Sequence, residues 1–202
     1  MNHAGSPPLP TMVVPAAKMP EPLLRWGYLW CALAAIVAMI AAIVIGNPWF
    51  LNFFHVFSSL LWTGIDLFMG FVLGPILRRL DISMRREIAR RLTPRLLFLM
   101  PTLAVISGTT GWFLAVDLGY TALDWPAYGW VVAVLILVTL MTIQGLGLLT
   151  PINVCVCLEL QKIEPDLHKI ITWMQRYFYV VATQGMMQVA MITIMTRFRA
   201  GI

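Results

Sequence analysis

The sequence predicts an all-α integral membrane protein, a helical bundle of five transmembrane helices with a short cytoplasmic amphipathic helix. Of its 202 residues, 60% are hydrophobic and 11% are charged, whereas a soluble domain is about 45–50% apolar and about 25% charged. Five apolar runs reach the length of ~20 residues that a bilayer requires. The net charge of +5 does not indicate nucleic-acid binding, because the basic residues cluster at helix ends and in one loop.

Two regions are predicted, a proline-rich tail over 1–24 and a transmembrane domain over 25–202. The tail has six prolines and no hydrophobic period, which predicts disorder. The transmembrane domain contains five predicted spans, at 26–45, 49–77, 97–118, 127–155 and 177–196. An alternative with four spans leaves the first run peripheral.

The first two spans meet at a tight turn. Trp26, Tyr28 and Trp30 form an aromatic belt where the first span begins. The turn Gly46-Asn47-Pro48 ends this span. The second span begins at Trp49 and is longer than a bilayer needs, so we expect it to tilt or protrude.

Each of the remaining spans has a distinguishing local feature. The third contains the cluster Ser107–Gly111, whose small residues favour close helix contact. The fourth apolar run is too long for one simple span, and Pro151 predicts a kink in it. Arginines flank the fifth, Arg176 before it and Arg197 after it.

The loop at 78–96 contains seven arginines. Apolar residues recur in it at every fourth position, which predicts an amphipathic helix over 84–92 lying on the membrane surface. Its arginines would face anionic headgroups, and packing onto the protein's own loops is compatible with this. The headgroup candidates are Arg78, Arg79, Arg85, Arg86, Arg90 and Arg91.

Five spans place twelve of the fourteen Lys and Arg residues on one side, together with the N-terminus. The positive-inside rule assigns that side to the cytoplasm. We expect a multi-pass protein of the bacterial inner (plasma) membrane with a cytoplasmic N-terminus.

The second span has one polar face. At ~100° per residue, His55, Ser59, Trp62 and Asp66 fall on a single stripe. Lipid cannot satisfy such a stripe, so it should face the bundle interior. His55 and Asp66 are about 16 Å apart along the axis, so they form separate outer and inner sites.

Partners for the two sites come from other spans. For His55 the candidates are the methionines Met39, Met187, Met191 and Met195. For Asp66 the candidate donors are Gln144, Thr109 and Thr110. The intramembrane Gln184 and Gln188 are one turn apart and complete the candidates for a proton or solute pathway, with Asp66 and Gln144.

Four interpretations of His55 stay open. It could be hydrogen-bonded within the bundle, or an axial ligand of haem b in an apolar cavity. It could be a copper ligand with thioether help, or part of a proton or solute pathway with Asp66. The cofactor-binding candidates are His55, Trp62, Ser59 and Met191, with His55 as the metal ligand. For Asp66 the alternatives are a buried, hydrogen-bonded carboxyl and a proton relay.

The run HVFSSLLWTG at 55–64, followed by Pro75 and a basic pair, resembles the signature helix of a superfamily of small helical membrane proteins. That superfamily includes the copper-resistance D family and the HemJ-type protoporphyrinogen oxidases. The resemblance implies a role for His55 in haem or porphyrin binding. The oxidases also have a functional lysine on a later span, and no predicted span here contains lysine.

Three functions follow as hypotheses. The leading one is a membrane protein that binds haem b or copper through His55. The alternatives are a structural subunit of a larger membrane complex and a proton-coupled transporter or channel that uses Asp66. No catalytic triad, phosphate loop or zinc motif indicates an enzyme. Expected partners are the lipid bilayer and anionic lipids, with a homo-oligomer or a larger complex as further alternatives.

Overall fold

The computed structural model describes residues 26–200, and the tail predicted over 1–24 lies outside them. The described chain consists of helices joined by short turns, and no strand occurs between residues 26 and 200. The α-helices are α1 Trp26–Ile45, α2 Pro48–Leu67, α3 Gly74–Arg79, α4 Ile82–Asp117, α5 Tyr128–Gln144, α6 Thr150–Leu160 and α7 Leu167–Ala200. A 3₁₀ turn at Tyr120–Ala122 and π-helical segments at Phe68–Leu73 and Gly145–Leu149 complete the list.

Five helical stretches are long and apolar enough to cross a membrane: Gly27–Ile45, Pro48–Arg79, Ile82–Asp117, Tyr128–Leu160 and Leu167–Phe198. They coincide with the five apolar runs of the sequence. The prediction of an all-α bundle with five helices of transmembrane length is therefore confirmed for the described residues.

The two π-helical segments each precede a proline in the first turn of the next helix, Pro75 in α3 and Pro151 in α6. A proline inside a helix lacks an N–H, and its ring collides with the carbonyl four residues earlier. One wider turn relieves that collision and keeps the helix continuous. The kink expected at Pro151 is thus a π-helical segment within one long membrane-length helix.

The amphipathic helix predicted over 84–92 is not a separate element. It forms the first turns of α4, which runs unbroken through Pro94 and Pro101 for 36 residues, a length of about 54 Å. The prediction of a separate surface helix was wrong, because the arginine-rich segment and the third span form one helix.

The half of the bundle next to the seven arginines between residues 78 and 95 is called the arginine-rich end. The buried apolar cluster lies there and includes Leu77 of α3, Leu96 of α4, Val156 of α6 and Val181 of α7. By contrast, α1 lies on the outside, against α4. Met39 and Ala42 are its buried side chains within residues 27–45.

Local capping sets where two helices begin. The Asn47 side chain accepts a hydrogen bond from the Trp49 N–H at 2.9 Å, just before α2. Asp166 accepts bonds from the His168 and Lys169 N–H groups ahead of α7. The bond from Lys169 is the main cause that lowers the pKa of Asp166.

Candidate functional site

The polar stripe of α2 faces two different neighbours. Ser58, Thr63 and Asp66 are buried, whereas His55 and Ser59 are half-buried. The outer part of the stripe contacts α4, and the inner part contacts α7. The stripe therefore forms two sites, which we call the His55 site and the Asp66 site.

In the His55 site the imidazole lies against the backbone of α4. Its Nδ1 is 3.0 Å from the Ser107 carbonyl oxygen. Because a carbonyl can only accept, Nδ1 donates, and neutral Nε2 keeps a free lone pair. A Cβ added at Gly111 would lie 2.7 Å from the imidazole Cε1. Only glycine at this position leaves room for the ring.

Two hydroxyl groups extend the contact between α2 and α4. The Ser59 and Ser107 side-chain oxygens are 2.5 Å apart. Thr63 donates within α2 to the Ser59 carbonyl at 2.8 Å. These polar groups lie between the two sites along the helix.

The Asp66 site is fully enclosed. Asp66 is 0% exposed, and Gln184 and Gln188 are 2% and 3% exposed. The Gln188 amide donates to Asp66 Oδ2 at 3.0 Å, and the Gln184 amide donates to the same oxygen at 3.4 Å. Trp62 is half-buried and lies one turn earlier on α2.

Three buried oxygens of the Asp66 site have no hydrogen-bond partner within the described residues: Asp66 Oδ1, Gln184 Oε1 and Gln188 Oε1. An unpartnered polar atom in an apolar interior is costly. A carboxyl serving helix packing alone would be expected to have its oxygens satisfied.

Glycines bring α7 close to this site. A Cβ at Gly70 would lie 2.7 Å from the Cα of Ala182, and one at Gly185 would lie 2.9 Å from the Leu67 side chain. Without these two glycines, α7 could not approach α2 closely enough for its amides to reach Asp66.

The donors expected for Asp66 were wrong. Gln144 donates instead to the Val180 carbonyl at 2.5 Å and to Thr183 at 3.0 Å. Thr110 donates to the Ile106 carbonyl within its own helix at 2.6 Å. Thr109 is next to it, at the depth of His55, because His55 pairs with Ser107.

Within the described residues, the hydrogen-bond partner of His55 is the Ser107 carbonyl and not one of the expected methionines. Gly70 faces Ala182 and Gly185 faces Leu67, so α2 and α7 run antiparallel with a fixed offset. That offset places Met191 near the depth of Trp62, about 10 Å along α7 from the depth of His55. The same offset puts Met187 beside the Asp66 site and Met195 level with Phe57, midway in depth between His55 and Ser59.

His55 is the residue that would bind haem or copper. Its free Nε2 and carbonyl-bound Nδ1 match the way metal-ligating histidines are held. However, residues 26–200 contain no group of three or more His, Cys, Asp or Glu side chains that could hold a metal ion. Within those residues His55 thus offers one ring nitrogen as a ligand and belongs to no cluster of these side chains.

Two residues near the Asp66 site were not predicted. Tyr177 of α7 is 1% exposed, and Asn153 of α6 is 5% exposed. Asn153 could have been found, since it is a polar residue inside an apolar run. Tyr177 could not, because a tyrosine at the start of a span is typical of an interfacial belt.

The predicted headgroup arginines lie in three settings. Arg78 donates to the Tyr179 hydroxyl at 2.7 Å, and Arg85 donates to the Leu80 carbonyl at 2.8 Å. Arg91 pairs with Glu87 at 2.6 Å. The other members, which form no ion pair within residues 26–200, are Arg79, Arg86 and Arg90.

Comparison with family models, with curated proteins and with solved structures finds no match for this chain. The resemblance of the second span to the copper-resistance D and HemJ-type proteins therefore stays a prediction.

Proposed function

We propose that the protein is a proton-transferring membrane protein in which Asp66 takes up and releases the proton. The observation that supports this most is the trio of unpartnered oxygens at the Asp66 site. An intramembrane carboxyl that is enclosed and incompletely satisfied is typical of proton and ion pathways.

The two glutamines can serve both protonation states of the carboxyl. Ionised Asp66 accepts N–H bonds from Gln184 and Gln188, as the described geometry has it. A protonated carboxyl needs an acceptor, and rotating either amide by about 180° would present its oxygen instead. The change of protonation therefore requires only a side-chain flip.

Polar groups continue the site toward both ends of the bundle. On the His55 side they are Thr63 and the Ser59–Ser107 pair. Toward the arginine-rich end they are Tyr177 and Asn153. This alignment supports a route along α2 on one side of Asp66 and between α6 and α7 on the other.

The test is proton flux into proteoliposomes that contain a pH-sensitive dye, driven by a potassium diffusion potential. We expect Asp66→Asn to abolish flux and Asp66→Glu to retain part of it. The matched control is Asp117→Asn, an identical change at an exposed position, which should leave flux unchanged. Wild-type vesicles that are no leakier than protein-free ones would overturn the proposal.

The alternative function is haem b binding through His55, supported by the Nδ1 bond to the Ser107 carbonyl. That bond orients Nε2 as a ligand, and bound haem would supply one-electron chemistry. Visible spectra of protein expressed with added haem provide the test. A Soret band that His55→Ala removes would support it, and a colourless, metal-free preparation would exclude both haem and copper.

A third outcome would leave the accessory-subunit hypothesis. In it, the Asp66→Asn and His55→Ala variants are both less stable, the wild-type protein shows no proton flux, and no haem absorption is found. Size-exclusion chromatography of the two variants in detergent separates that outcome from loss of function.

A further inference from the structure

The arginine-rich end of the bundle contains a groove that is independent of the Asp66 and His55 sites. It is a shallow, open groove between α3, the start of α4 and the start of α7. We propose that one anionic phospholipid binds in this groove, with an acyl chain along its walls and its phosphate at Arg86 and the first turn of α4.

The walls of the groove are apolar. They are formed by Gly74 and Leu77 from α3 and, on α7, by Leu167, Ile170, Ile171, Met174 and Phe178. Gly74 lets the Phe178 ring pack closely against α3, since a Cβ there would lie 3.0 Å from that ring. A surface of this kind suits a hydrocarbon chain better than it suits water or a polar peptide.

The rim of the groove is positively charged. Arg78, Arg85 and Arg86 line it. Two of them already contact other groups of the protein. Arg78 lies over the Tyr179 ring at 5.1 Å, and Arg85 donates to carbonyls at the end of α3. Arg86 is exposed and forms no ion pair within residues 26–200, so its guanidinium is available to a phosphate.

The start of α4 adds a second attraction for an anion. Asp81 precedes the helix, but its side chain does not cap it. The first N–H groups of α4 thus have no side-chain acceptor, and Ile82 of this turn lines the groove. Helix N-termini with free N–H groups favour phosphate.

A lipid fits these features better than a soluble phosphate does. A free anion would gain no binding energy from the apolar walls, and a neutral lipid would gain none from the charge of the arginine rim. Because Arg78 and Arg79 end a helix of membrane length, the rim lies at headgroup depth if the helix spans a bilayer.

The experiment is native mass spectrometry of delipidated protein titrated with dioleoylphosphatidylglycerol or dioleoylphosphatidylcholine. We expect one phosphatidylglycerol to bind more tightly than phosphatidylcholine. Arg86→Gln should weaken that first binding about five-fold. The matched control is Arg79→Gln, which removes the same charge from an exposed arginine outside the groove.

Equal losses in Arg86→Gln and Arg79→Gln would overturn the proposal, because they would indicate a diffuse surface charge. So would equal affinity for the two lipids, or phosphate ion competing at the affinity of the lipid. A third variant, Ile171→Trp, fills the groove without changing charge and should weaken phosphatidylglycerol binding as well. Proton flux does not enter this test, so its failure leaves the proposal for Asp66 unaffected.

Discussion

The His55 and Asp66 sites lie on one face of one helix, yet their surroundings differ. His55 is half-buried. One of its ring nitrogens donates to a backbone carbonyl of α4, and Gly111 of the same helix leaves room for the ring. Asp66 is fully enclosed, and two amides of α7 donate to one of its oxygens. Its other oxygen and the two amide oxygens have no partner among residues 26–200. The neighbouring helix, rather than the position on α2, decides what each group can do.

Enlarging Gly111 should have the largest effect of the changes that separate the two sites. Gly111→Ala places a Cβ in contact with the imidazole and should lower the free energy of unfolding by about 1–3 kcal/mol. Denaturant unfolding in detergent measures this. The Asp66 site should be unaffected, as judged by unchanged proton flux per folded molecule.

Gly108 provides the control on the same helix, since a Cβ there would meet nothing within 4 Å. Gly108→Ala should be neutral or stabilise by roughly 0.5–1 kcal/mol. In a His55→Ala background the cost of Gly111→Ala should disappear. A cost that persists without the imidazole would show that the ring is not what Gly111 accommodates.

Removing an amide donor should produce the next largest effect, at the Asp66 site. Gln188→Leu deprives the carboxyl of its 3.0 Å donor and should destabilise the fold by about 1–2 kcal/mol. Gln184→Leu should cost less, because its bond is 3.4 Å long. Thermal unfolding in detergent would rank the two variants.

The double variant Asp66→Leu/Gln188→Leu sharpens this prediction. With both partners apolar, most of the lost stability should return. If Gln188→Leu costs the same with and without Asp66, the two side chains are not coupled and the described hydrogen bond contributes nothing.

The smallest effect is expected from the hydroxyl pair between the sites. Ser59→Ala removes a bond between helices and should cost about 0.6 kcal/mol, the average for such bonds in membranes. A double-mutant cycle with Ser107→Ala should return most of that as coupling energy. Ser58→Ala is the control, because Ser58 donates within α2 to the Phe54 carbonyl, and its coupling to Ser107 should be zero.

The lengths of the helices could be predicted because apolar length is a local property of the sequence. The joining of the arginine segment to the third span could not, since two prolines lie inside the resulting helix and local rules disfavour proline there. The inward orientation of Asp66 also followed from helix geometry. Its partners did not, because Gln144, Gln184 and Gln188 are equally polar and only packing determines which of them reaches the carboxyl.

The glycines illustrate the same limit. Gly111 was recognised as a small residue for close helix contact, but the sequence does not say that an imidazole fills the space beside it. Gly70 and Gly185 set the distance between α2 and α7, and nothing local distinguishes them from Gly64, whose added Cβ would meet nothing within 4 Å.

The two π-helical segments have a consequence for how easily the long helices bend. Phe68–Leu73 and Gly145–Leu149 lie on two sides of α7 at the level of Phe178 and Ala182. A wide turn is weaker in internal hydrogen bonding, so long helices bend there more easily than elsewhere. Backbone amides in both wide turns should therefore be the earliest within the spans to exchange with deuterium.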